Sequence, residues 1–191
     1  LAALALTRRQ VLVQELPAVE GLARVDVVCL DKTGTLTAGD IAFDELIPVD
    51  ADDAMDEAKD ALGAIASLAD PNPSQIAIGK AHPAPAGWTR DGEVPFSSSR
   101  KWSAMSFEGH ASWYLGAPEM LLADGDALAE EVGPLAEKGK RVMVLQHSDR
   151  ELQDSNLPDD RRSLALVTLK ENVRSDAAET LRYFAEQGVT I

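Results

Sequence analysis

Seven consecutive residues, Asp31-Lys32-Thr33-Gly34-Thr35-Leu36-Thr37, carry the densest chemistry in the sequence. They follow Val25-Asp26-Val27-Val28-Cys29-Leu30, an apolar run rich in β-branched residues that predicts a buried strand ending at Asp31. A carboxylate at the carboxyl end of such a strand stands where open α/β sheets place ligands. Behind it, Gly34 permits close backbone approach, Thr33 and Thr35 offer hydroxyls, and Lys32 adds a positive charge. That set suits a phosphoryl group. An aspartate in this position can act as a nucleophile and form an acyl phosphate, dividing one difficult transfer into two easier ones. Two residues further on stands Thr33 rather than a second acid, so nothing nearby readily activates water against the acyl phosphate. Such an intermediate should persist.

The elements that must hold this loop read as mixed strand and helix. Further strands are expected at residues 113–115, 142–145 and 164–169. Helical spacing runs through residues 52–68, where Met55, Ala58, Leu62 and Ile65 share a face, and through residues 126–138 by Leu128, Val132 and Leu135. In the last helix Asp176 can serve as the cap with Glu179 three residues on, Leu181 and Phe184 form the stripe, and Gly188 stops it. Val189-Thr190-Ile191 then begins another strand. Pro71, Pro73, Pro83, Pro85, Gly87, Gly92 and Pro95 predict loops and short edge strands between residues 70 and 95. Two lobes follow from this order, an outer one made by both chain ends and an inner one inserted into it.

Composition narrows the function. The 191 residues include 32 acidic and 18 basic side chains, a net charge of -14, which disfavours a nucleic-acid partner because phosphate-backbone affinity needs clustered cations. Apolar residues at 45% can bury a real core, which excludes disorder. One cysteine, Cys29, forms no disulfide framework, and His82, His110 and His147 are scattered. Asp124-Gly125-Asp126 lacks the full spacing of a metal loop, Trp88, Trp102 and Trp113 read as core, and His110 reads as a hairpin residue. No stretch reaches the roughly 18–20 apolar residues of a membrane span. The nearest, Leu1-Ala2-Ala3-Leu4-Ala5-Leu6, ends at Thr7-Arg8-Arg9.

The Asp31-to-Thr37 heptapeptide resembles the phosphorylation signature of the P-type cation-transporting ATPases, and the resemblance extends over essentially the whole chain. Leu16-Pro17-Ala18-Val19-Glu20 ahead of it resembles the calcium-pump-like branch more than the heavy-metal branch. The resemblance implies that Asp31 is phosphorylated with Lys32, Thr33 and Thr35 around it, that Thr35 contacts the transferred phosphate, and that the Asp31 carboxylate and Thr33 carbonyl hold Mg²⁺. It implies an α/β fold: an antiparallel sheet with flanking helices for an inserted nucleotide-binding domain at residues 39–164. That domain would be attached to an incomplete parallel α/β phosphorylation domain, resembling the haloacid dehalogenases, at residues 1–38 and 165–191. Residues 1–6 would then be the end of a membrane helix.

Within the inserted lobe, Pro95-Phe96-Ser97-Ser98-Ser99-Arg100-Lys101 resembles the adenine-binding stretch, with Phe96 in the place of the stacking ring and Lys101 in that of a basic contact. Gly116-Ala117-Pro118-Glu119 resembles the second signature, with Leu115 where the family has lysine. Ser98 stands where calcium pumps often carry arginine, so two cations are missing and weak ATP binding is expected. Gln75, within Asn72-Pro73-Ser74-Gln75-Ile76-Ala77-Ile78, takes the place of a glutamate that meets the adenine amino group. Arg141, in Gly139-Lys140-Arg141-Val142, corresponds to an arginine that reaches the phosphates. Lys170-Glu171-Asn172-Val173-Arg174 is a degenerate hinge motif that keeps Arg174 but lacks both prolines.

The resemblance implies ATP and Mg²⁺ as cofactors. Its implied partners are an actuator domain, the rest of the phosphorylation domain, membrane helices and a transported cation, with calcium as first expectation. The implied location is the cytoplasmic face of the plasma membrane, the fragment itself being soluble and catalytically incomplete. Two alternatives stand beside this: a haloacid-dehalogenase-like phosphatase or phosphotransferase, disfavoured by Thr33, and a non-catalytic acidic interaction domain.

Overall fold

The computed structural model describes residues 6–8, 10–12, 15–49, 55–68, 70–153 and 156–191. It divides into two compact units, residues 1–39 with 173–191, and Asp40–Asn172. Residues 1–5, where a membrane-helix end is expected, lie outside the described residues. Among the described residues no helix is long and apolar enough to cross a membrane.

The larger unit is organised by a six-stranded sheet in the order β1-β6-β5-β4-β3-β2. Its strands are β1 (Thr37–Pro48), β2 (Arg90–Val94), β3 (Trp102–Phe107), β4 (Ala111–Gly116), β5 (Arg141–Ser148) and β6 (Arg162–Val173). From β2 through β6 every neighbouring pair is antiparallel. Val49 N bonds to Leu164 O near one end of β1, and Asn172 Nδ2 to Asp40 Oδ2 near the other, so β1 also runs against β6. Side chains alternate across the pleat, and both faces are covered. Met105, Trp113, Leu115, Leu145, Val167 and Leu169 face helices α2 (Met55–Ala66) and α3 (Pro73–Ala81), which contribute Leu62, Ile65 and Ile78. On the other face Trp102, Ala104, Tyr114, Val144 and Leu166 pack under Leu121 of α4 (Pro118–Leu121) and Leu128 of α5 (Leu128–Glu137).

Covering both faces explains which strands the sequence conceals. All six residues of β3 are buried, so Trp102-Ser103-Ala104-Met105-Ser106-Phe107 shows no polar-apolar alternation. The helix at Pro73–Ala81 corrects the expectation of loops across residues 70–95. Asn72 caps it, Pro73 sits in its first turn, and the Asn72 and Gln75 side chains close a reciprocal capping box. Edge strand β2 does fall within that stretch. Trp102 and Trp113 are core, and His110 lies in the β3–β4 turn, stacked on Trp88 at a centroid distance of 3.9 Å.

The other unit contains α1 (Leu16–Leu22), the 31–37 loop and α6 (Ala177–Glu186). The buried strand expected at residues 25–30 is present as one parallel bridge, Val27 to Thr190, with Val27 55% exposed. Asp176 does not cap α6 with its side chain: its backbone is helical (φ -91°, ψ -4°), not the extended conformation a capping side chain needs, and its carboxylate turns to Arg174.

Candidate functional site

In the unit of residues 1–39 and 173–191, Asp31 is extended (φ -75°, ψ 147°) and precedes one wide helical turn over Lys32–Leu36. Gly34 takes φ +77° there, a left-handed conformation that costs a residue with a Cβ roughly 1–2 kcal/mol. Thr37 locks the turn. Its buried Oγ1 accepts from Gly34 N at 3.2 Å and donates to Lys32 O at 3.4 Å, and its own N–H goes to the same carbonyl. Asp31, Lys32 and Thr35 are exposed, and the Thr33 side chain lies outside the described residues. The heptapeptide thus folds as a self-bonded loop that leaves its carboxylate open to solvent. Arg174 belongs to this unit: its N–H donates to Leu36 O at 3.0 Å, and its guanidinium grips Asp176 at 3.1 and 3.2 Å.

In the unit Asp40–Asn172, a cavity of about 510 Å³ opens at one end of the sheet. Gln75, Phe96, Lys101, Ala117 and Arg141 all line it, coming from α3, the 95–101 turn, the end of β4 and the start of β5. Leu115, Val142 and Met143 add an apolar wall. Phe96 is 49% exposed, an aromatic ring left uncovered beside an apolar cavity. A large ring facing solvent at such a place is available for stacking.

The 95–101 turn is held by its own bonds. Ser97 Oγ accepts from Arg100 N at 3.2 Å, Ser97 O accepts from Lys101 N at 2.7 Å, and the Arg100 guanidinium lies 5.4 Å over the Trp102 ring. Lys101 takes φ +58°, which is uncommon for a residue with a Cβ and concentrates at ligand sites. Lys101 O in turn accepts from Ala117 N at 2.9 Å, tying this turn to the end of β4. Gly116 lets the two backbones meet, since a Cβ there would collide with Trp102 Cβ and lie 2.8 Å from Lys101 O. Gly116 itself does not line the cavity, and it is what brings Ala117 and Lys101 together.

The charges are few. Among the cavity's lining residues Lys101 and Arg141 are cationic and Glu119 is anionic. Lys101 Nζ stands 2.9 Å from Glu119 Oε1, a contact that holds the Glu119 carboxyl below its ordinary range. Arg141 donates to Ser74 Oγ at 3.3 Å. The neighbouring Lys140 and Lys170 both bind Asp44, at 2.7 and 2.9 Å, which pushes that carboxyl down to about 2. Gln75 is buried and its Oε1 accepts from Asn72 N at 2.9 Å, so one lone pair is already committed to the helix cap. Asn72, Ser74 and Glu119, which stand in the motifs without a role of their own, also line the cavity, as do Ser103 and Met143, which lie in no motif. The Asn-Pro-Ser-Gln capping pattern was the signal that could have located Asn72 and Ser74.

No family model matches the chain. Over 187 residues, 97% of its length, it is 43% identical to the calcium-transporting ATPase CtpE of Mycobacterium tuberculosis (strain CDC 1551 / Oshkosh). It is equally similar, 43% over 187 residues, to CtpE of Mycolicibacterium smegmatis. Identity is 39% over 191 residues to a probable cation-transporting ATPase, exp7, of Streptococcus pneumoniae serotype 4. The chain spans about a quarter of each relative, 24%, 23% and 24%. The crystal structure of a zinc-transporting PIB-type ATPase shares the fold, with a TM-score of 0.65 at 24% identity over 90% of this chain and 26% of that one. Over nearly its whole length the chain is thus homologous to about a quarter of calcium- and cation-transporting ATPases, and it shares the fold of a PIB-type ATPase.

Proposed function

We propose that Asp40–Asn172 is the nucleotide-binding domain of an ATP-driven cation pump, and that residues 1–39 and 173–191 contribute to its phosphorylation domain. In the intact protein the first would present the γ-phosphate of ATP to Asp31, and the aspartyl phosphate formed there would drive transport. The observation that carries this reading is the convergence of Gln75, Phe96, Lys101, Ala117 and Arg141 on one cavity of about 510 Å³, within the range of small-molecule sites. Phe96 would stack on the base, the apolar wall of Leu115, Val142 and Met143 would enclose it, and Arg141 and the Glu119-paired Lys101 would stand at the phosphate end.

At the other motif, Asp31 offers an exposed carboxylate and the turn after it offers backbone carbonyls. These fit a hard cation such as Mg²⁺, which is commonly held by one or two carboxylates together with phosphate oxygens. When bound, the metal would neutralise charge on the transferred phosphoryl group, while Asp31 supplies the attacking oxygen. The names of the mycobacterial relatives support Ca²⁺ as the transported ion, and a pump of this kind would carry the chain on the cytoplasmic face of the membrane.

The test is a titration of the chain with ATP followed by amide NMR, beside Phe96→Ala and Lys101→Ala. Shifts centred on the residues around Phe96, weakened about fivefold or more by loss of the ring, are expected from base stacking worth roughly 1–3 kcal/mol. Absence of binding at several millimolar ATP, or binding indifferent to Phe96→Ala, would sink the proposal.

A further inference from the structure

Glu119 is the anionic side chain among the residues that line the cavity, and it is placed against one of the two cations there. The contact is built into the backbone. Lys101 is fixed in its left-handed conformation by bonds from its N–H to Ser97 O and from Ala117 N to its carbonyl. Glu119 follows Pro118 in the first turn of α4, whose Met120 and Leu121 amides return to Ala117 O. Both ends of the ion pair are therefore anchored within one hydrogen bond of Ala117. A ligand phosphate that uses Lys101 must displace the Glu119 carboxylate or lie beside it. The other cation, Arg141, is hydrogen-bonded to Ser74, and position 115 is leucine.

We propose that Glu119 is a specificity-determining residue that masks Lys101 against phosphate, so that the cavity recognises an adenine nucleotide by its nucleoside end and discriminates little between adenosine and ATP. This rests on the adenine-nucleotide reading of the cavity. The wall of Leu115, Val142, Met143 and the uncovered Phe96 ring provides apolar surface for the base, while the charged residues of the lining sum to one net positive charge against the several negative charges of a triphosphate. The likeness to nucleotide-binding segments says nothing about how affinity divides between base and phosphates. The Lys101–Glu119 pair does.

The experiment titrates the full chain with adenosine and with ATP, for the native sequence and for Glu119→Gln, following amide shifts at fixed ionic strength. The native chain is expected to bind the two ligands with dissociation constants within about threefold of each other. Glu119→Gln should tighten ATP by about two- to fivefold, the range of a partly exposed ion pair, and leave adenosine unchanged. That gain should shrink as salt is raised, because the displaced contact is electrostatic. Weaker ATP binding in Glu119→Gln would show that the carboxylate aims Lys101 at phosphate, and would overturn the inference. An unaltered ratio of ATP to adenosine affinity would overturn it as well, while leaving the adenine site in place. Failure of both ligands to bind the native chain would remove the adenine reading and this inference together.

Discussion

The two compact units differ in what holds them. Among the described residues, every buried hydrophobic side chain except Ala177 lies in Asp40–Asn172. That unit has a sheet covered on both faces, with Trp113, Tyr114, Leu145 and Leu166 fully enclosed. The unit of residues 1–39 and 173–191 leaves Leu22, Val27, Val173 and Tyr183 exposed and joins its two stretches of extended chain by one parallel bridge. Yet the strongest motif in the sequence, Asp31 to Thr37, lies in this second unit. A loop of seven residues can hold its shape by local bonds such as Gly34 to Thr37, whereas a ligand cavity with an apolar wall needs distant segments packed together. Density of motif and density of core are separate properties.

Substitutions can break or sharpen this contrast. The largest expected effect is that of Trp113→Ala, which removes a fully buried ring of the central sheet and should cost about 3–5 kcal/mol in urea unfolding. A loss below about 1 kcal/mol would mean that stability does not reside in that sheet. Gly116→Ala should come next, at roughly 1–3 kcal/mol, because the added Cβ forces the Lys101–Trp102 backbone away. It should also weaken nucleotide binding, and intact binding with intact stability would show that the close approach is not required.

A pH series reads the edge of the sheet. The hydrogen bond from Lys140, then that from Lys170, lower the Asp44 carboxyl from 3.8 to about 2. Its folded-state pKa is depressed, so its stabilisation is complete above about pH 4 and is lost as pH falls toward about 2. Native protein should therefore be more stable than Asp44→Asn at about pH 6, with the difference closing by about pH 2. A constant difference would assign Asp44 no ionic role. Smallest of all should be Asp31→Asn, at an exposed position, with stability changed by less than about 0.5 kcal/mol and adenosine binding unaltered. A large loss of stability there would show that the open carboxylate supports the loop's fold.

The sequence was legible where chemistry or helical period is local. The faces of α2 and α5 were readable from Met55, Ala58, Leu62 and Ile65, and from Leu128, Val132 and Leu135. The helix Pro73–Ala81 was hidden by Pro73 at its start and by the flanking Pro71 and Pro83, although Asn72, Pro73 and Gln75 together spell a start signal. β3 was hidden because a strand buried on both faces carries no alternation. The Asp176 cap failed because a nearer partner, Arg174, takes its carboxylate in two hydrogen bonds.

By itself the sequence determined the loop that follows Asp31. Asp31, Gly34 and Thr37 lie within seven residues, and their geometry follows from bonds among neighbours. It also determined that Phe96, Lys101 and Arg141 were candidates for one ligand. Only the tertiary structure decided that they share a cavity, because their meeting depends on the antiparallel order that sets Trp102 opposite Gly116 and Gly116 opposite Val144. Only the tertiary structure set Glu119 against Lys101, eighteen residues away in the chain and 2.9 Å away in space. Spacing along a chain encodes what neighbouring residues do to one another, and charge pairing across strands is fixed by register, which the whole sheet decides.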